Sequence, residues 1–172
     1  MIDIITKRLF LRKFSLDDAE VMFSSWGNDP EVSKYMTWNP HPNVELTKEL
    51  LSMWIDEYKN ENTYRWGITF KDSGELIGSI DVVGYVDGCP SIGYCLTRKH
   101  WNKGIMSEAL QAVLDYLRFV GYKRILIEAQ VENIASNRVI EKHGFKFLGI
   151  EEKYLPMKDK TVQVKTYELV ID

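Results

Sequence analysis

Trp101-Asn102-Lys103-Gly104-Ile105-Met106-Ser107-Glu108-Ala109 is the stretch on which the reading of the fold turns. A strand-like run, Ser91 to Thr97, leads into it, and a strongly amphipathic helix, Met106 to Val120, leads out. The apolar positions of that helix, Met106, Ala109, Leu110, Val113, Leu114 and Leu117, step by three and four. A short Gly-bearing turn between a strand and a helix N-terminus exposes backbone N–H groups that have no intrahelical partner. The helix dipole adds partial positive charge there. This geometry suits a phosphate or pyrophosphate.

Downstream, Gly121 reads as a C-cap, and a mostly apolar strand runs from Arg124 to Val131. A short helix, Ile134 to His143, ends at Gly144, and two strands close the chain, Phe145 to Ile150 and Val162 to Ile171. Upstream, Arg8 to Phe14 alternates as a strand. Ser15 then reads as the N-cap of a helix that reaches about Trp26. Gly27-Asn28-Asp29-Pro30 ends that helix, and Glu31 to Asn43 is irregular. A second helix spans about Val44 to Tyr58, and strands follow at Tyr64 to Phe70 and Leu76 to Tyr85. The strand–helix–strand unit over 91–131 predicts a parallel pair, and the neighbouring hairpins make the sheet mixed. The class is therefore α/β, with helices covering a half-antiparallel sheet.

At 172 residues the chain reads as one domain. Its formal net charge is -3, with no run of one sign, which argues against nucleic-acid binding. No apolar run approaches membrane-spanning length, so no membrane association is expected. Met1 to Arg8 lacks the order of a signal peptide, and the expected compartment is cytoplasmic. Cys89 and Cys95 are too few for a disulfide framework. His41, His100 and His143 show no metal-ligand spacing with them, so no metal is expected. Cys95 reads as a small, reduced, buried strand residue rather than a catalytic thiol.

The glycine turn is neither a Walker loop, which needs G-x-x-x-x-G-K-S/T, nor a dinucleotide fingerprint, G-x-G-x-x-G. Alone it reads as an ordinary strand–helix turn. Thirty residues on, Asn133-Ile134-Ala135-Ser136 is followed by Glu141-Lys142-His143-Gly144-Phe145. W-N-K-G-I-M-S-E-A, then N-x-x-S, then E-K-x-G-F resembles the Gcn5-related N-acetyltransferase (GNAT) superfamily, and within it the RimJ/RimL-like branch. R-L-x-L-R at Arg8 to Arg12, N-D-P-E-V at Asn28 to Val32, and Tyr35-Met36-Thr37-Trp38 fit the same order. The pattern departs at Trp101, familiar in that branch, and at Met106, whose periodicity turns its side chain to the core.

The resemblance implies a GNAT-like, partly splayed mixed sheet of about six to seven strands with about four helices on both faces. It implies a single acetyltransferase domain over 1–172, with an acceptor-side segment and helix at 28–62 and an acetyl-CoA-binding core at 91–145. The implied activity is acetyl transfer from acetyl-CoA to a primary amine, a protein N-terminus or a small molecule, by direct attack. Backbone amides of Asn102, Lys103, Gly104, Ile105, Met106 and Ser107 would wrap the pyrophosphate of coenzyme A. Tyr94, Cys95 and Leu96 would offer backbone groups to the pantetheine, with Asn133 on the far wall. Arg138 is a further candidate for cofactor binding. A backbone N–H near Gly93 or Tyr94 is the implied oxyanion donor. Ser136 matches the family position proposed for protonating the leaving thiolate.

Where several relatives carry a base, Glu, this chain has Ser91. The candidates for a base are Glu128 and Asp81, on strands that could reach the cleft and each read as structural before catalytic, and His41 in the irregular substrate-side segment. A missing base favours an α-amine, of pKa about 7.7–8.0, over lysine at about 10.4. The acceptor side is expected from residues 28–43, the second helix, and a loop over Glu151 to Lys160. Tyr35, Trp38 and Tyr154 are candidates for an aromatic wall, and Trp54, weighed with them, reads as packing in the core with its helix. A homodimer through C-terminal strands accords with the resemblance, and the last strand's alternation does not show whether its edge is free. The competing reading is an acetyl-CoA-binding sensor or non-catalytic interaction module of the same fold.

Overall fold

The computed structural model describes residues 1–171. The chain opens with β1 (Ile4–Ile5) and β2 (Leu9–Arg12). A 3-10 turn at Leu16–Asp18 runs into α1 (Ala19–Met22), which continues as a π turn over Phe23–Gly27. After α2 (Pro30–Ser33) and α3 (Val44–Glu57) come β3 (Arg65–Phe70), β4 (Leu76–Val86) and β5 (Cys89–Leu96). The remainder is α4 (Ile105–Phe119), β6 (Arg124–Gln130), α5 (Ile134–Lys142), β7 (Lys146–Leu155) and β8 (Lys160–Val170).

The strands form one eight-stranded sheet, in the order β1-β2-β3-β4-β5-β6-β8-β7. β5 and β6 are parallel, as the strand–helix–strand unit requires, and every other pair is antiparallel. Two apolar cores lie on the sheet. One gathers Leu110, Val113 and Leu117 of α4 with Trp66, Ile80 and Ile127. The other gathers Ala19, Trp26 and Leu51 with Phe14 and Cys95. Leu96 and Cys95, adjacent on β5, join different cores, so both faces of the sheet are covered. Met106 is buried in the α4 core, as its periodicity predicts. Among the described residues no helix is long and apolar enough to cross a membrane.

Three expectations change. The strand count rises to eight because the two-residue β1 pairs with β2 and adds an edge strand to the sheet. The first helix is not uniform. Asp18 accepts from the Ser15 N–H at 2.8 Å and binds both Arg12 Nη atoms, at 2.8 and 2.7 Å, which fixes its tight entry. The region Glu151 to Lys160 is not a loop. β7 runs to Leu155, and only a short turn at Pro156–Asp159 separates it from β8. Its polar sequence reflects a sheet-edge strand exposed along nearly its whole length, and polarity there is no sign of a loop.

Candidate functional site

β5 and β6 part company midway. Their pairing is confined to Ser91↔Leu126 and Ile92↔Ile127, whereas β5 stays paired with β4 as far as Leu96. The Thr97 N–H donates to the Ile77 carbonyl at 2.8 Å. Ladder alternation then turns Gly93 and Cys95 to β4 and leaves the backbone groups of Tyr94 and Leu96 on the open side. The Leu96 carbonyl is met there by the Trp101 indole N–H at 2.7 Å. Of the two residues expected to supply an oxyanion donor, Tyr94 has its N–H facing the gap, and Gly93 does not.

The turn after β5 is shaped for an anion. Asn102 and Gly104 both have positive φ, 59° and 70°, and Ile105 begins α4 directly behind them. Consecutive amides in such a turn, followed by a helix N-terminus, converge on one point. The chain's own start braces this turn. The Glu108 carboxylate accepts from Thr6 Oγ1 at 2.6 Å, Arg8 N–H at 2.8 Å and Arg8 Nε at 2.6 Å. Arg8 Nη1 also donates to the Lys103 carbonyl at 3.0 Å, and Lys103 Nζ donates to the Lys99 carbonyl at 2.8 Å. From the other side the His143 ring nitrogens lie 2.7 Å from the Val139 carbonyl and 2.9 Å from the Ser107 carbonyl. The end of α5 is thereby tied to the first turn of α4.

Across the gap, Asn133 caps α5. Its Oδ1 accepts from the Ser136 N–H at 3.2 Å, which leaves the Nδ2 donor for a ligand. One helical turn on, the buried Asn137 donates to the Asn133 carbonyl at 2.8 Å and the Gln130 carbonyl at 3.0 Å. The Tyr167 hydroxyl donates to Asn137 Oδ1 at 2.8 Å, so α5 is held rigidly against β6 and β8. The Tyr94 and Ser136 hydroxyls lie 2.9 Å apart and bridge the two walls. Burial pushes the Tyr94 phenol up to about 12, so it stays a neutral hydroxyl at neutral pH.

The gap opens into a cavity of about 620 Å³ lined from both cores. Tyr94, Ser136 and Asn133 line it, and so do Trp26, Trp38 and Trp54. Tyr35 lines it too, whereas Tyr154 does not: its hydroxyl donates to Asp159 at the hairpin turn. Asp81 and Glu128 both reach the cavity. Arg65 Nε donates to Asp81 at 3.1 Å and Arg65 Nη1 to Glu57 at 2.5 Å, with its guanidinium 4.4 Å over the Trp54 ring. Burial raises the Asp81 carboxyl, and Arg65 works against that shift. Glu128 is ion-paired with Lys153. His41 is buried with Nδ1 2.7 Å from Thr47 Oγ1, and burial lowers its pKa. Burial pushes the Cys95 thiol, 3.3 Å from Ser79 Oγ, up to about 11, which suits a structural thiol. Arg138 is exposed on α5 and makes no ion pair among the described residues.

Sequence reasoning missed the Tyr94 hydroxyl, the Thr6–Arg8–Glu108 brace, Asn137, the His143 tie and Trp26. A signal existed only for Asn137, which stands four residues after Asn133 on one helix face.

The family model for the GNAT acetyltransferase domain matches residues 8–146. The uncharacterized N-acetyltransferase p20 of Bacillus licheniformis is 33% identical over 168 residues, 96% of this chain and 94% of that protein. The ribosomal-protein-serine acetyltransferase of Escherichia coli K12 is 33% identical over 106 residues, 60% of this chain and 59% of its own. The crystal structure of a GNAT-family acetyltransferase from Bacillus anthracis shares the fold at a TM-score of 0.85 and 28% identity, over 98% of each chain.

Proposed function

The chain belongs to the GNAT acetyltransferase family and transfers an acetyl group from acetyl-CoA to a primary amine; from that premise we propose which of its residues do the work. The sensor reading is set aside accordingly. The observation that carries the assignment is the gap between β5 and β6, with Tyr94 backbone groups on one wall and Asn133 on the other. Those groups fit an amide-rich pantetheine arm, and the Asn102–Ser107 turn fits a pyrophosphate. Arg138 and Lys103 add positive charge beside the turn.

Acetyl-CoA brings the activated acyl carbon and a thiolate leaving group. Tyr94 donates its backbone N–H to the oxygen on which charge develops. As the amine nitrogen bonds the acyl carbon and the carbon–sulfur bond breaks, Ser136 delivers one proton to the departing sulfur, the proton given up by the amine restores the balance, and the Tyr94 hydroxyl orients Ser136. Asp81 and Glu128 are each held by a cation, so we give them the task of accepting the amine proton only through a relay. A weakly basic environment suits an amine already partly neutral, such as an α-amine, of pKa about 7.7–8.0. The name of the E. coli relative, a ribosomal-protein-serine acetyltransferase, supports a protein as one acceptor. The same reading assigns 28–62 to the acceptor side and 91–145 to the acetyl-CoA core of one domain. It keeps the protein in the cytoplasm, supported by two free cysteines, and away from nucleic acid, supported by a net charge of -3. A second copy pairs on the β7 edge.

Calorimetric titration of acetyl-CoA tests the cleft. Asn133→Asp keeps the α5 cap and removes the Nδ2 donor; it should weaken binding while leaving the melting temperature nearly unchanged. Equal affinity for Asn133→Asp and the parent chain would remove Asn133 from the site.

A further inference from the structure

The wall of the cavity around Trp38 is largely apolar, and it is locked in place. Trp26, Met36, Trp38, Leu50, Trp54 and Met157 line it. The segment that carries Met36 and Trp38 is pinned by three side chains. Gln130 Nε2 donates to the Tyr35 carbonyl at 3.1 Å, Lys158 Nζ donates to the Ser33 carbonyl at 2.5 Å, and the Asn39 amide donates to the Met157 carbonyl. The pocket is thus shaped before any acceptor arrives.

Several of its polar groups are already engaged. Arg65 is shared by Asp81 and Glu57, and Glu128 is matched by Lys153, so these carboxylates exceed their cations by one, enough for a single ammonium and not for a second or third. Ser79 lies against the Cys95 sulfur, and the Gln130 amide is bound to Tyr35, so neither waits for a substrate hydroxyl. His41 is turned to Thr47. A polyamine would bury extra charge against indole and thioether groups, which is costly without partners. An aromatic or aliphatic body would instead displace water from apolar walls.

We propose that the acceptor is a primary amine carried on a bulky apolar body, either an arylalkylamine or a peptide N-terminus whose first residue is large and apolar. This rests on the reading of the cavity as the acceptor end of the acetyl-CoA cleft, and it narrows the amine class that reading leaves open. One methylene in an apolar pocket is worth about 10–200-fold in kcat/KM. 2-Phenylethylamine should therefore outrun ethanolamine by about 10²-fold or more.

The test has two stages. Acetyl-CoA binding is first measured by calorimetry. Initial rates are then followed by thiol release with 2-phenylethylamine, ethanolamine, spermidine, a Phe-initiated tripeptide and a Ser-initiated tripeptide. Higher kcat/KM for 2-phenylethylamine or the Phe tripeptide than for every polar acceptor supports the proposal, and whichever of the two is faster identifies the source. Acetyl-CoA binding with spermidine, ethanolamine or the Ser tripeptide equal or faster overturns the proposal and leaves the cleft assignment standing. Binding without turnover of any amine also overturns it. Absence of acetyl-CoA binding overturns both. Trp38→Ala should raise KM for the preferred amine about tenfold or more with the acetyl-CoA Kd unchanged. Leu46→Glu, at an exposed rim position that tolerates charge, should shift preference toward spermidine; no shift in either variant counts against the apolar wall.

Discussion

Ser136 and Tyr94 show how a site residue is recognised from two sides. Ser136 is legible in N-x-x-S, because a helix cap and its neighbours are neighbours in sequence. Tyr94 is legible only as a strand residue, since its hydroxyl meets Ser136 across 42 positions. Ser136→Ala should lower kcat about 10²-fold with little change in acetyl-CoA affinity, measured by thiol release and calorimetry. Tyr94→Phe keeps the ring and loses one hydrogen bond, of about 1 kcal/mol, so kcat should fall about fivefold to tenfold. His41 carries a pH consequence. Burial lowers its folded pKa below the ordinary 6.5, so the unfolded chain binds more protons between those values. Its contribution is whole above pH 6.5 and is lost as pH falls through the folded pKa. Urea midpoints at pH 7.5 and 5.5 should therefore drop more for the parent chain than for His41→Gln.

At the scale of elements, the β5–turn–α4 unit was readable because apolar periodicity, a Gly at the left-handed position and a helix start occur within twenty residues. Gly104 sits at φ 70°, where any side chain is strained. Gly104→Ala should cost about 1–2 kcal/mol in a denaturant melt and weaken acetyl-CoA binding by moving the amides of the turn. The brace on that turn was not readable. Glu108 looks like an ordinary first-turn acid on α4, and its partners Thr6 and Arg8 lie about a hundred residues away. Glu108→Gln keeps the shape and removes the charge that gathers three donors. It should destabilise the N-terminal strands and lower acetyl-CoA affinity, seen as faster amide exchange at Leu9 and Leu11 and a raised Kd. β7 was misjudged for a related reason: an edge strand exposed along both faces has the composition of a loop.

For the molecule as a whole, β8 is interior to the sheet and β7 is its edge, which the alternation of the last strand alone did not decide. Phe147, Leu148 and Ile150 on that edge are more than half exposed, at 54%, 51% and 51%. An open edge with apolar side chains is a pairing surface. If the second copy docks there, Leu148→Lys should convert a dimer to a monomer in light scattering with the melting temperature of the monomer preserved. A parent chain that is monomeric at tens of micromolar would remove the β7 edge as an interface.

The amino-acid order by itself determined the α/β class, the parallel pair around α4, the anion-shaped turn and the helix α5. Each of these rests on hydrogen bonds and periodicities closed within a few residues. Only the tertiary structure decided the width of the β5–β6 gap, the partners of Asp81, Glu128 and Glu108, and the apolar wall of the acceptor pocket. Those depend on side chains brought together from distant segments. Whether a carboxylate is free or matched is settled by which cation the fold carries to it: Arg65 reaches Asp81 from the neighbouring strand, and Lys153 reaches Glu128 from two strands away.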